Sequence, residues 1–261
     1  MLRNLRVYQE LLAVLASALV ALAIWQHQKA HASPTDAVTA DEILAATAAD
    51  DAEPVPSADL ATSATSSSNE PGARPPAASK EKMLVLGDSM VEVLSPYLNA
   101  YAIENGHEMV PAIWYGSTTA AWAKSPELGK LLREINPTMV IVVLGSSELT
   151  SPSIESRKPY IEVMLKRIGS RKVVWIGPPN WRADTGINDL LESELGKDRF
   201  FLSEHLELPR KHDGIHPNAE GGRIWMNAIA TWLSTESRFE IRLNPPSHAA
   251  AAPPAHVLGS M

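Results

Sequence analysis

Thr138-Met139-Val140-Ile141-Val142-Val143-Leu144 is an unbroken apolar run, preceded by Asn136-Pro137 and followed by Gly145-Ser146-Ser147-Glu148. Its length, its β-branched residues and its lack of polar alternation read as a strand buried on both faces. Strands are buried in this way in a parallel sheet covered by helices on each side. Outward from this run the chain alternates as such a sheet requires. Residues 82–86 form a second apolar run ending at Gly87, and residues 172–176 a third. Residues 108–115 also read as a strand, which Pro111 moves toward an edge position. Residues 199–202 make a short last strand. Helical spacing fills the intervals over residues 91–104 (stopped by Gly106), 126–135, 159–168, 187–195 and 218–233. Strands joined by helices of this length pair in parallel through right-handed crossovers. The expected fold is α/β, a three-layer α/β/α sandwich on a flavodoxin-like parallel sheet of about five strands.

The flanks have a different composition, and the patterned domain spans residues 81–242 of the 261. Arg3 and Arg6 precede an apolar run over residues 11–25, interrupted only by Ser17. At about 15 residues, or about 19 if extended back to Val7, it lies between a signal-peptide core and a membrane span. Residues 1–32 therefore read as an N-terminal membrane anchor at residues 7–25, or as a signal peptide cleaved near Ala32 after Ala30-His31. The anchor is favoured because a tether gives the following segment a purpose. In either case the arginines stay inside and the rest is exported, to the periplasm or the cell surface. Residues 33–80 are rich in Ala, Pro, Ser and Thr, and too poor in large apolar side chains to offset their ordering entropy. They read as a disordered linker of about 48 residues spanning roughly 40 Å. Residues 243–261, rich in Ala, Pro and His, read as a disordered tail. A net charge of -7 argues against a nucleic-acid partner. The absence of cysteine excludes disulfides, thiolate metal sites and a cysteine nucleophile.

Ligands of such sheets bind outside the carboxyl ends of the strands, so the residues there are the functional candidates. After the first strand, Gly87-Asp88-Ser89 turns sharply and sets a hydroxyl at a helix N-terminus, where developing negative charge is favoured. An N-cap or a phosphate-cradling turn has the same look. After the second strand, Gly116 can offer its backbone N–H to an oxyanion, or simply turn the chain. After the third come Ser146, Ser147 and Glu148; after the fourth, Pro178-Pro179-Asn180-Trp181-Arg182, a stiff loop whose last residues suit a pocket wall. The most informative segment is His212-Asp213-Gly214-Ile215-His216-Pro217. A serine hydroxyl attacks well only when a neutral imidazole takes its proton and a carboxylate holds that imidazole in register. Asp213 and His216 are spaced to do this. His212 and His216 also have metal-ligand spacing, but Gly214 and Pro217 work against the helix such a pair needs. No metal and no cofactor is expected.

Together these blocks resemble the SGNH hydrolase family of GDSL-like lipases and acylhydrolases. Gly87-Asp88-Ser89 is similar to its first block, Gly116 to its second, Gly145-Ser146-Ser147-Glu148 to its third and Asp213-Gly214-Ile215-His216 to its last. The resemblance implies a triad of Ser89, His216 and Asp213, with oxyanion donors from the backbone of Ser89 and Gly116. In the third block Ser147 stands where the family carries an asparagine as a further donor. Losing one such donor typically costs about 2.7–4 kcal/mol of transition-state stabilisation. Asp88, Glu148, Asn180, Trp181 and Arg182 are the candidate substrate contacts.

The implied activity is a serine esterase that cleaves small O-acyl esters, acetyl foremost, on cell-envelope carbohydrate through an acyl-enzyme. His216 must be neutral to act as base. Two alternatives stay open: an O-acyltransferase to an envelope glycan, and a catalytically weakened module that binds glycan or protein. The expected partners are an ester or acylated-glycan substrate and, through the N-terminal segment alone, the membrane.

Overall fold

The computed structural model describes residues 80–259. The expected leader or anchor and all of the linker but Lys80 lie outside them. Among the described residues no helix is long and apolar enough to cross a membrane.

Within the described residues each apolar run becomes a strand, and each amphipathic stretch a helix packed on one side of it. In chain order these are β1 (Lys82–Gly87), α1 (Met90–Glu104), β2 (Glu108–Ile113), α2 (Thr119–Lys124) and α3 (Glu127–Ile135). There follow β3 (Met139–Val143), α4 (Lys158–Ile168), β4 (Lys172–Ile176), α5 (Ile187–Leu195), β5 (Phe200–Phe201), α6 (Ala219–Thr235) and β6 (His256–Val257). The strands are ordered β5-β4-β3-β1-β2-β6, and every neighbouring pair is parallel. Alternation along the strands makes two cores. Met83, Val85, Met139, Ile141 and Val143 pack with Leu94, Leu98, Trp225 and Ile229 from α1 and α6. Leu84, Leu86, Val140 and Val142 pack with Leu128, Leu131, Ile161, Met164 and Leu191 from α3, α4 and α5. The result is a three-layer α/β/α sandwich, and its inner order β2-β1-β3-β4-β5 is the flavodoxin-like one. In that order the connections reverse direction between β1 and β3, which opens a crevice at their carboxyl ends.

Three tryptophans with no solvent exposure tie the cores to the loops around this crevice. Trp122 Nε1 donates to Ser117 Oγ (3.0 Å), Trp175 Nε1 to the Leu144 carbonyl (2.9 Å) and Trp225 Nε1 to Ser203 Oγ (2.8 Å). A buried indole N–H needs a partner, and here each partner lies in the loop that follows a strand.

Two elements depart from the sequence reading. Thr118 and Thr119 read as loop, yet Thr118 Oγ1 accepts from the Ala121 N–H and starts the short helix α2. The tail, expected to be disordered, is ordered through Gly259 and adds β6 to the sheet. Asn105 exchanges two hydrogen bonds of 2.9 Å with the backbone of Asn244. Ser247 N and Oγ donate to Glu104, Asn99 Nδ2 donates to the Ala251 carbonyl, and Leu258 N–H donates to the Ile113 carbonyl. These partners lie far away in sequence, so composition alone gave no sign of them. Pro111 fits the result. Glu108 N–H donates to the Glu81 carbonyl just before β1 and Trp114 N–H to the Gly87 carbonyl at its end, so position 111 points outward, and β6 pairs only with Ala112 and Ile113.

Candidate active site

The crevice is built on a turn that tolerates only glycine at its base. Gly87 has φ 156, and a Cβ there would overlap the Val143 carbonyl oxygen of the adjacent strand. This close approach lets the Asp88 N–H reach Val143 O (3.2 Å), and Ser89 then sits at the mouth of α1 with its hydroxyl free of capping. Ser89 Oγ lies 2.8 Å from His216 Nε2, and His216 Nδ1 lies 2.8 Å from Asp213 Oδ2. With the Nδ1 proton donated to Asp213, Nε2 is left to accept from the serine hydroxyl. The other oxygen, Asp213 Oδ1, accepts the backbone N–H groups of Ile215 (2.8 Å) and His216 (3.0 Å) and so closes the loop on itself. The imidazole hydrogen bond, followed by these two backbone donors, holds the Asp213 carboxyl well below its ordinary range. It is therefore an anion wherever the imidazole needs orienting.

The loop bearing the pair is fastened by residues that the sequence did not mark. Arg210 donates to the Ile215 carbonyl, to Pro179 O (3.1 Å) and to Asn180 O (2.9 Å), which joins the loops after β4 and before α6. Asn218 Oδ1 caps α6 by accepting from Gly221 N (3.0 Å). A lone arginine in a polar loop has no periodicity to betray it. An open hollow of about 710 Å³ adjoins the pair, lined by Arg210, Lys211, His212, Asp213 and Asn218.

Gly116 lies in a tight turn closed by Ser117 N–H to Trp114 O (3.0 Å), with φ 68 at the position of a type II turn that favours glycine. Open space faces its α-carbon. Neither the Ser89 nor the Gly116 N–H donates to a backbone carbonyl among the described residues. Ser147 is exposed in a single 3-10 turn, Ser146–Glu148, and its hydroxyl has no hydrogen bond among the described residues.

The remaining candidates divide. Asp88 and Glu148 are each 1% exposed, so they lie beneath the crevice and do not present themselves to a ligand. Asp88 Oδ1 accepts from Met90 N (2.9 Å), while Oδ2 has no partner among the described residues. Burial pushes the Asp88 carboxyl up to about 7 and the nearby Glu148 adds to the rise; the Met90 and Ser146 backbone groups and His216 oppose it. Glu148 accepts from Thr119 N (3.0 Å) and Thr119 Oγ1 (2.8 Å), and Arg157 Nε lies 3.3 Å away. Burial raises it as well, against the Thr119 hydrogen bonds and the Arg157 charge. Asn180 is occupied at both ends, by Glu204 and Asn188. Trp181 is half-buried with Nε1 3.2 Å from Ser146 Oγ, and the exposed Arg182 stacks 4.2 Å over its ring.

The fold and site together describe a doubly wound α/β domain with a serine–imidazole–carboxylate relay at its topological switch point. No protein-family model and no curated protein matches the sequence. Among solved structures, the chain is similar to the C-terminal catalytic domain of peptidoglycan O-acetyltransferase A from Streptococcus pneumoniae, solved with a methylsulfonyl adduct. That likeness has 16% identity and a TM-score of 0.44, and covers 60% of this chain and 94% of the other. At that level the fold rests on the strand order and register given above.

Proposed function

We propose that the chain is an extracytoplasmic serine esterase of the SGNH type. It removes small O-acyl groups, acetyl foremost, from cell-envelope carbohydrate through an acyl-enzyme on Ser89. The observation that carries this reading is the unbroken relay from Ser89 Oγ through His216 to Asp213, two contacts of 2.8 Å joining residues 127 positions apart. Ser89 Oγ attacks the ester carbonyl while His216 Nε2 takes its proton. The resulting oxyanion is met by the backbone N–H groups of Ser89, at the N-terminus of α1, and of Gly116, in the turn after β2. The alcohol leaves with the proton from His216. Water, deprotonated by the same imidazole, then releases the acid and restores the serine. Asp213 stays ionised throughout and stabilises the imidazolium. The exposed Ser147 hydroxyl contributes no preorganised third donor, which supports a modest rate. Export rests on the basic, apolar N-terminus, with residues 7–25 as the anchor.

The test is release of acetate from p-nitrophenyl acetate and from O-acetylated cell-wall glycans by the full chain, run beside Ser89→Ala. Turnover lost in the variant by about 10⁶-fold is expected. Acyl groups appearing on a sugar acceptor in preference to water would make the protein a transferase working through the same Ser89 chemistry. Equal rates in both proteins would sink the enzyme reading and leave a binding module.

A further inference from the structure

Among the described residues three large apolar side chains stand out in solvent: Ile103 at 62%, Tyr115 at 51% and Val257 at 50% exposure. Single exposed apolar residues need no explanation, but neighbouring ones beside a reactive group do. Ile103 lies alone near the far end of α1. Tyr115 and Val257 both fall at the carboxyl end of the sheet, on the side of β2 and β6. Val257 of β6 is in register with Ile113, two residues before Tyr115. Tyr115 occupies the corner of the turn whose next residue is Gly116, the oxyanion candidate. Burial and the charge of the nearby Glu92, in the first turn of α1 and three residues after Ser89, push the Tyr115 hydroxyl up from the ordinary tyrosine value. An aromatic ring thus stands beside the oxyanion turn with its body open to water. Burying tyrosine in a core would satisfy both ends; this placement leaves the apolar body unsatisfied. The ordered tail extends the surface with Val257.

Resting on the esterase reading above, we infer that Tyr115, extended by Val257, is a sugar-binding subsite that stacks on a pyranose ring of the acylated glycan and presents its ester to Ser89. The chemistry suits a sugar. A pyranose has an apolar face of C–H groups that lies flat on an aromatic ring, and rim hydroxyls that a carboxylate such as Glu92 can accept from. A long acyl chain would need a sheltered apolar channel, whereas Tyr115 is open on its outer side.

The test separates binding from turnover. The full chain carrying Ser89→Ala is titrated with deacetylated cell-wall glycan oligosaccharides by calorimetry, alone and with Tyr115→Ala, Tyr115→Phe or Ile103→Ala added. Tyr115→Ala should weaken binding about tenfold, a change of about 1.4 kcal/mol. Tyr115→Phe, which keeps the ring, should stay within about threefold, and Ile103→Ala should match the parent. Absent binding by the parent, unchanged binding in Tyr115→Ala, or an equal loss in Ile103→Ala each overturns the subsite. Failure of the wild type to outpace Ser89→Ala on p-nitrophenyl acetate counts against the esterase reading alone, because the titration judges the subsite without turnover.

Discussion

Asp213 and Asp88 are both aspartates near one imidazole, yet their surroundings drive them in opposite directions. Asp213 is open to solvent and receives three hydrogen bonds, so its charge is favoured; Asp88 is buried with one oxygen unpartnered, so its charge is disfavoured. Replacing Asp213 with Asn leaves the imidazole in the wrong tautomer and should lower kcat by about 10⁴-fold, measured on p-nitrophenyl acetate. Asp88 has a different signature. Its folded-state value of about 7 lies above the ordinary 3.8, so between those limits the folded state binds the extra proton. Stability from this group is full below that window and declines as pH rises through it. The denaturation midpoint of the wild type should therefore drop more between about pH 5 and about pH 8 than that of Asp88→Asn. Parallel pH profiles would show that burial of Asp88 carries no such penalty. The depressed Asp213 acts with the opposite sign and only in acid, below the ordinary carboxylate range.

Loops at strand ends hold a site only if something stiffer holds the loops, and here short polar clamps do this. Glu148 grips both the N–H and the hydroxyl of Thr119, which fixes the start of α2 and with it the turn that carries Gly116. Glu148→Gln keeps the size but loses the ionic partner for Arg157 and an acceptor for one of the Thr119 donors. We expect kcat to fall by about 10²-fold with KM nearly unchanged, as for a misplacement of about 1 Å. A rise in KM with kcat intact would instead place Glu148 in substrate binding. The turn after β1 is clamped by close packing rather than by charge. Gly87→Ala forces a Cβ into the Val143 carbonyl at a φ that alanine rarely adopts, and should destabilise the domain by about 3 kcal/mol in urea denaturation. An unchanged midpoint would mean that β1 and β3 can part at little cost.

At the scale of the whole domain, the tail covers the outer edge of β2 at Ala112 and Ile113. Ending the chain after Leu243 exposes the outer edge of β2 at Ala112 and Ile113, an edge open to pairing with other chains. Loss of about 1–3 kcal/mol and concentration-dependent association are expected, read by denaturation and light scattering. A fully stable monomer after truncation would show that β6 only rests on the sheet. The sequence by itself determined the alternation of five strands with helices, because a strand buried on both faces and a helix buried on one leave distinct periods in the chain. It also singled out Ser89, Asp213 and His216 as candidates, from their places beside the strand ends and the last helix and from the family resemblance that those blocks carry. Only the tertiary structure decided that Ser89 meets His216, that Asp88 and Glu148 lie beneath the crevice, and that the tail makes a sixth strand. Those outcomes depend on partners tens to over a hundred residues away, and long-range contact leaves no period in a single sequence.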